Sequence, residues 1–286
     1  MPSMPNFNDR LFDLFMPMLP KNDLSHFVGR LVHKRLPGAL GRKSVEAFAK
    51  AYRIDLSEAE LPIEAYPSIG ELFTRKLKPE ARPTADTRVV HCADALITEA
   101  GTIEHQMLIQ AKGKHYTVSE LLRSSKFAED FESGSFFTYY LCPTDYHRVH
   151  SPVSGEIIWS CHIPGELWPV NAWSVKSIPS LFAINERVVV MIQTPFGKAA
   201  LVMVAATNVG NMSMSFDDQI STRVRRGQRK VREHTYQPPV PIRAGSEVGI
   251  FHMGSTVVML FEKGMVERAA AWKMKRTLVG AALSSV

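Results

Sequence analysis

The stretch FHMGSTVVMLFE, Phe251 to Glu262, reads as a β-strand interrupted by a small polar tripeptide. The aromatic and β-branched residues around it favour extended backbone. Gly254, Ser255 and Thr256 suit a turn or bulge, because glycine accepts angles that other residues avoid and the hydroxyls can satisfy local amides. The same texture extends outward from this point. From about Val89 the chain is a succession of short β-runs punctuated by Gly and Pro: FFTYYL from Phe136, EIIWSCHI from Glu156, RVVVMIQT from Arg187, AALVMVAAT from Ala199 and VGIFHM from Val248. Helical signal there is confined to YTVSELLRSS, Tyr116 to Ser125, and to Ser177–Phe182. These patterns predict an α+β protein in which residues 61–286 form an antiparallel, β-rich, barrel- or sandwich-like core.

Residues 1–60 differ. From Asn8 to Tyr52 the apolar periodicity is helical, broken at Pro17, Pro20, Pro37, Gly38 and Gly41, which predicts two or three short amphipathic helices. Phe12, Phe15, Met16 and Met18 form a dense apolar group, and residues 1–53 hold nine Lys or Arg against four acids, so they carry +5 of the net +6. Bulky apolar residues beside clustered cations suit a helix lying in the interface of an anionic bilayer. A helix packed on its own domain with a solvated basic face would read the same way.

Composition is globular, with 45% hydrophobic and 22% charged residues. Three cysteines without CxxC spacing indicate neither a disulfide framework nor a cysteine zinc site, and a reducing cytoplasm fits them. No run of 18 apolar residues occurs, and the start lacks the basic and apolar regions of a secretory signal, so neither membrane spanning nor export is expected. Six cations fall between Arg223 and Arg232. They lack interleaved aromatics and any nucleic-acid-binding pattern, so a basic loop is expected there and no nucleic-acid partner.

The densest polar constellation is YYLCPTDYHRVHSPVSGEI, Tyr139 to Ile157, with His147 and His150 three apart. As metal ligands they want a third partner that the sequence does not supply, and no metal is expected. Ser255, one of these histidines and an acid such as Asp94 in HCADALI can converge as a Ser-His-Asp arrangement, but the Gly-x-Ser-x-Gly elbow of α/β-hydrolases is absent. A serine after glycine in a tight turn has another use: once its hydroxyl is activated by a base, it can attack the carbonyl of the preceding residue.

LFTRKLKPEARP (Leu72 to Pro83), TDYHRVHSPVSGEI, PGELWPVN, IPSLFAINERVVV and HMGSTVVMLFE, in this order along the chain, resemble the phosphatidylserine decarboxylases, a family of pyruvoyl-dependent proenzymes, and the likeness runs from the amino-terminal helices to about Lys263. The resemblance implies self-cleavage between Gly254 and Ser255 into a β chain, residues 1–254, and an α chain, residues 255–286, that stay together. It implies that Ser255 attacks the Gly254 carbonyl and ends as an amino-terminal pyruvoyl group, with His150 as base and Asp94 orienting it and stabilising its charge. It assigns His147 to decarboxylation, where the pyruvoyl group draws electrons from the bond to the departing carboxylate and a positioned acid reprotonates the carbon. The substrate would be phosphatidylserine and the product phosphatidylethanolamine, made by a peripheral enzyme on the cytoplasmic face of a bacterial membrane. Met253, where the family commonly has Leu, and Ala95, where Gly is frequent after the acid, are the departures. A pyruvoyl enzyme for a soluble amino acid and a non-catalytic membrane adaptor are the alternatives, and the sequence leaves open whether the protein is a homo-oligomer.

Overall fold

The computed structural model describes residues 32–36, 38–111, 113–207, 211–220, 222, 230–252 and 255–283, with Gly38 and Ser255 described by their backbone alone. Its centre is an eight-stranded antiparallel sheet built from β1 (Ala95–Thr102), β4 (Ser135–Leu141), β6 (Gly155–Ile163), β7 (Arg187–Thr194), β8 (Gly197–Val204), β10 (Arg232–Ile242), β12 (Ser255–Phe261) and β13 (Arg276–Thr277), in the order β10-β6-β7-β8-β12-β4-β1-β13. The sheet is open, with β10 and β13 as its edges, so the β-rich core does not close into a barrel. The long edge β10 carries Pro238, Pro239 and Pro241, and its register shifts between Thr235 and Val240. Prolines and a bulge on an edge discourage pairing with another chain.

β7, β8 and β12 are the middle of the molecule. Val188–Ile192, Ala199–Val204 and Val257–Phe261 are all fully buried, which explains why these strands read as continuous apolar runs and not as alternating ones. The β7–β8 hairpin turns at Gly197, whose φ of +134° brings its α-carbon against Glu262.

A second sheet of three short strands, β5 (Arg148–His150), β11 (Glu247–Phe251) and β9 (Met212–Met214), lies beside the first, and β2 (Met107–Ala111) pairs with β3 (Lys114–Thr117) as a small ribbon. β11 and β12 therefore belong to different sheets. What looked like one strand interrupted by Gly-Ser-Thr is two strands, and the chain changes sheets between Phe251 and Ser255.

Of the amino-terminal helices, the described residues show α1 (Gly38–Tyr52). Gly41 does not break it: the helix runs through, and a β-carbon there would meet the Leu36 carbonyl oxygen at 2.4 Å, so the glycine serves a close approach. Val45 and Ala49 pack with Ile54, Tyr66 and Leu72 in a separate small core. That core supports α2 (Ile69–Phe73), capped by the Ser68 hydroxyl accepting from the Glu71 amide. The expected helix after Tyr116 is α3 (Val118–Leu122), opened by a Thr117–Glu120 capping box. The helical signal at Ser177–Phe182 resolves into two helices that flank it, Ala172–Ser177 and Leu181–Ile184. Pro179 separates them by forcing Ile178 into extended backbone. Among the described residues no helix is long and apolar enough to cross a membrane.

Candidate active site

One continuous segment brackets the Phe251-to-Ser255 passage. β4 ends at Leu141, the register partner of Ser255 at the start of β12. The chain then loops through residues 142–146 and returns at His147, whose carbonyl accepts from the Phe251 amide at the end of β11. The loop is tied at its base. The Asp145 amide donates to the Cys142 carbonyl at 2.9 Å, the Cys142 amide donates to Asp145 Oδ2 at 2.7 Å, and Arg276 pairs with the same carboxylate.

Asp94 reaches this place through backbone pairing of its own segment. The Val90 amide donates to the Pro152 carbonyl and the His150 amide to the Cys92 carbonyl, both at 2.9 Å. Asp94 is 5% exposed, and its carboxylate is fully engaged: Arg82 donates from Nε at 3.0 Å and from Nη2 at 2.6 Å, and the Val279 amide donates at 2.8 Å. Arg82 Nη2 also pairs with Glu58 at 2.9 Å. Ala95 opens β1 in extended backbone that alanine adopts freely, so the family's glycine is not required beside this acid.

The two histidines sit in different surroundings. His150 directs Nδ1 at the Gly245 carbonyl, 2.7 Å away, and Nε2 at the Tyr146 hydroxyl, 3.2 Å away. A carbonyl can only accept, so Nδ1 carries the hydrogen and Nε2 keeps its lone pair. Burial lowers the pKa of this imidazole, while the Gly245 carbonyl, Glu247 and Asp94 pull it back up. The ring's orientation thus comes from Gly245 and Tyr146, and Asp94 acts on its charge through space.

His147 is fully buried, donates from Nδ1 to the Asp145 carbonyl at 2.8 Å and stacks on Phe73 with ring centres 3.8 Å apart. Its Nε2 is buried without a partner. Burial, with a smaller contribution from the charge of Arg75, drives its pKa down to about 3 against the opposing hydrogen bond to the Asp145 carbonyl, so at neutral pH His147 is a neutral ring with a free lone pair. Asp94 therefore goes with His150, and Arg75 with His147.

The family model for phosphatidylserine decarboxylase matches residues 69–282, which include Asp94, both histidines and the Gly254–Ser255 junction. The chain belongs to the phosphatidylserine decarboxylase family. It is 42% identical over 259 residues to the phosphatidylserine decarboxylase proenzyme of Anaeromyxobacter sp. (strain K), covering 90% of this chain and 91% of the relative. It is 42% identical over 257 residues to the proenzyme of Myxococcus xanthus, covering 89% and 90%. With the proenzyme of Polaromonas naphthalenivorans it shares 38% identity over 286 residues, 98% of each chain.

Family membership leaves the roles of individual residues to the geometry. The structure ties the Asp94 segment to His150 through the His150–Cys92 backbone bond and sets the His147 backbone against Phe251 at the end of β11; Met253, Gly254 and the Ser255 side chain, and the apolar residues Phe12, Phe15, Met16 and Met18, lie outside the described residues. Sequence reasoning passed over Arg82, Tyr146, Phe73 and Arg75, although all four stand inside the motifs that carry the family resemblance. Among the described residues no group of His, Cys, Asp and Glu is placed to hold a metal ion.

The Arg82–Asp94 pair yields a stability prediction. Replacing Arg82 with Met leaves a buried carboxylate without its cation, which costs about 3 kcal/mol. Urea unfolding of the variant against the parent measures it, and a difference below about 1 kcal/mol would show that the Val279 amide alone suffices for Asp94.

Proposed function

We propose that this chain decarboxylates phosphatidylserine to phosphatidylethanolamine with a pyruvoyl group made from its own Ser255. The observation that carries this reading is the bracketing of the Phe251-to-Ser255 passage by the segment Leu141–His147, with a neutral imidazole on the same strand three residues further on. Ser255 is the first described residue after the change of sheet, at the start of β12. His150 Nε2 takes the hydroxyl proton, and Asp94 stabilises the resulting imidazolium.

The residues present fit the group that self-cleavage creates. Once formed, the pyruvoyl group would supply an electrophilic carbonyl for the substrate amine and an electron sink for the bond to the carboxylate. Around it, His147 Nε2 has the free lone pair needed to take a proton from the substrate ammonium, and it returns that proton to the carbon once carbon dioxide has left. A ring held near pKa 3 by burial releases a proton readily, and Phe73 keeps water from the exchange.

After cleavage the α chain stays in place because β12 is paired on both sides, to β4 over seven residues and to β8 over six. Its tail adds the Arg276–Asp145 and Val279–Asp94 contacts.

The lipid substrate gives the amino-terminal region its task. Residues 1–60 dock the enzyme on the anionic cytoplasmic leaflet of a bacterial membrane, with Phe12, Phe15, Met16 and Met18 entering the interface. α1 supports this reading: it buries Val45 and Ala49 and leaves Arg42, Lys43 and Lys50 exposed, with Lys34, Arg35 and Arg53 exposed beside it.

Vesicles containing phosphatidylserine test the whole reading. The protein should sediment with them and produce phosphatidylethanolamine and carbon dioxide, while free serine is turned over negligibly. Changing the four apolar residues to Asp should lower sedimentation and leave self-cleavage intact. Equal turnover of free serine would move the assignment to a soluble amino acid substrate.

A further inference from the structure

Among the described residues Arg75 has no carboxylate partner, although it is only 5% exposed. Its Nη2 donates to the Thr144 carbonyl at 3.0 Å, while Nε and Nη1 are buried and unpartnered. The Tyr66 hydroxyl and His147 Nε2 are orphaned in the same way. Arg75 and His147 share one neighbourhood: Phe73, two residues before Arg75, stacks on His147, and Thr144, whose carbonyl Arg75 holds, is three residues before His147. A buried cation and its unmade hydrogen bonds are costly, and the cost is recovered when an anion arrives. Either free guanidinium nitrogen, Nε or Nη1, can donate to the oxygen of an anion.

We propose that Arg75 binds the phosphodiester of the substrate head group. The proposal rests on the phosphatidylserine reading above. Of the two anionic groups in that substrate, the carboxylate loses its charge as carbon dioxide forms. A cation placed on it would stabilise the ground state more than the transition state and slow the reaction. The phosphodiester keeps its charge throughout, so binding there orients the substrate without opposing the chemistry. Connectivity agrees: only three bonds separate the carbon that loses the carboxylate from phosphorus, so a group holding the phosphate belongs beside the group that reprotonates that carbon. Arg75 and His147 have that relation, joined through Phe73, which stacks on His147, and through the Thr144 carbonyl three residues before it. Because Arg75 is nearly covered, the side chains over it swing aside when the head group enters.

The experiment compares the parent protein with Arg75→Lys and Arg75→Gln, each first weighed by intact mass spectrometry to establish cleavage. Each is then titrated calorimetrically with glycerophosphoethanolamine, which carries the phosphodiester but no carboxylate, with ethanolamine, which carries neither, and with inorganic phosphate. Arg75→Gln should bind glycerophosphoethanolamine about 10- to 100-fold more weakly, with ethanolamine unchanged and Arg75→Lys intermediate. KM for phosphatidylserine should rise by a similar factor while kcat stays within about threefold, as expected when uniform binding is removed. Unchanged affinity for glycerophosphoethanolamine in Arg75→Gln overturns the proposal. So does failure of both variants to fold, which would give the guanidinium a purely structural task. Inorganic phosphate binding the parent as tightly as the diester would overturn the head-group assignment. A parent chain that stays uncut sinks the pyruvoyl reading instead and leaves the calorimetric comparison valid, since it needs no turnover.

Discussion

Ser255→Ala is expected to leave one uncut chain of 286 residues and to abolish phosphatidylethanolamine formation. The alanine removes the only oxygen that can attack the Gly254 carbonyl from that position, and with it the precursor of the pyruvoyl group. Loss should be complete, because no neighbouring side chain can become the same cofactor. The fold should survive: β12 contributes its backbone and the buried residues Thr256–Phe261 to the sheet, and alanine keeps the register with Leu141. Intact mass spectrometry of both proteins decides the matter. The parent should give two masses dividing after Gly254, with the smaller chain blocked at its amino terminus. An uncut parent chain that is folded and inactive would favour a non-catalytic adaptor, and a cut alanine variant would refute Ser255 as the nucleophile.

The parts of this molecule that could be read from sequence share a physical cause. β4, β6, β7, β8 and β12 are buried deeply enough that selection of β-branched and aromatic side chains marks their whole length. β5 and β9, three residues each, are too short to carry a pattern, and they are two of the three strands of the second sheet. The Gly-Ser-Thr interruption was visible, but a turn within one strand and a crossing between two sheets place the same residues in sequence. Gly41 shows the limit of residue preference: its cost in a helix is overridden by a backbone contact with Leu36 that no other residue permits.

At the site, Asp94, His147 and His150 were legible because they are titratable side chains that stand in spaced motifs. Their partners were not. The Gly245 carbonyl that orients His150 is 95 residues away in sequence, and the Val279 amide that holds Asp94 is 185 away. Backbone groups carry no side-chain signature, so only the fold reveals them. The same fold explains how one motif serves two tasks. Spacing of three along an extended segment sends His147 and His150 to different faces, one toward Arg75 and Phe73 and the other toward Gly245 and the charge of Asp94.

That division makes the second large effect specific. His147→Gln should lower kcat by about 10²- to 10⁴-fold, the range for loss of a positioned proton-transfer group, while self-cleavage proceeds. Glutamine is chosen because its amide can still donate to the Asp145 carbonyl and fill much of the space against Phe73, so the loop that brackets Ser255 keeps its support. What it lacks is a nitrogen lone pair that can take up and release a proton. Single-turnover decarboxylation, measured on protein that mass spectrometry shows to be cut, separates the two steps. Activity within about tenfold of the parent would remove His147 from proton transfer. An uncut variant would instead merge the tasks of the two histidines, against the separate environments in which Asp94 acts on His150 while His147 is lowered to a pKa of about 3 by burial and the charge of Arg75. The converse variant completes the argument: His150→Gln should block cleavage itself, because His150 is the neutral imidazole available as base, and the charge of Asp94 partly offsets the burial that lowers its pKa.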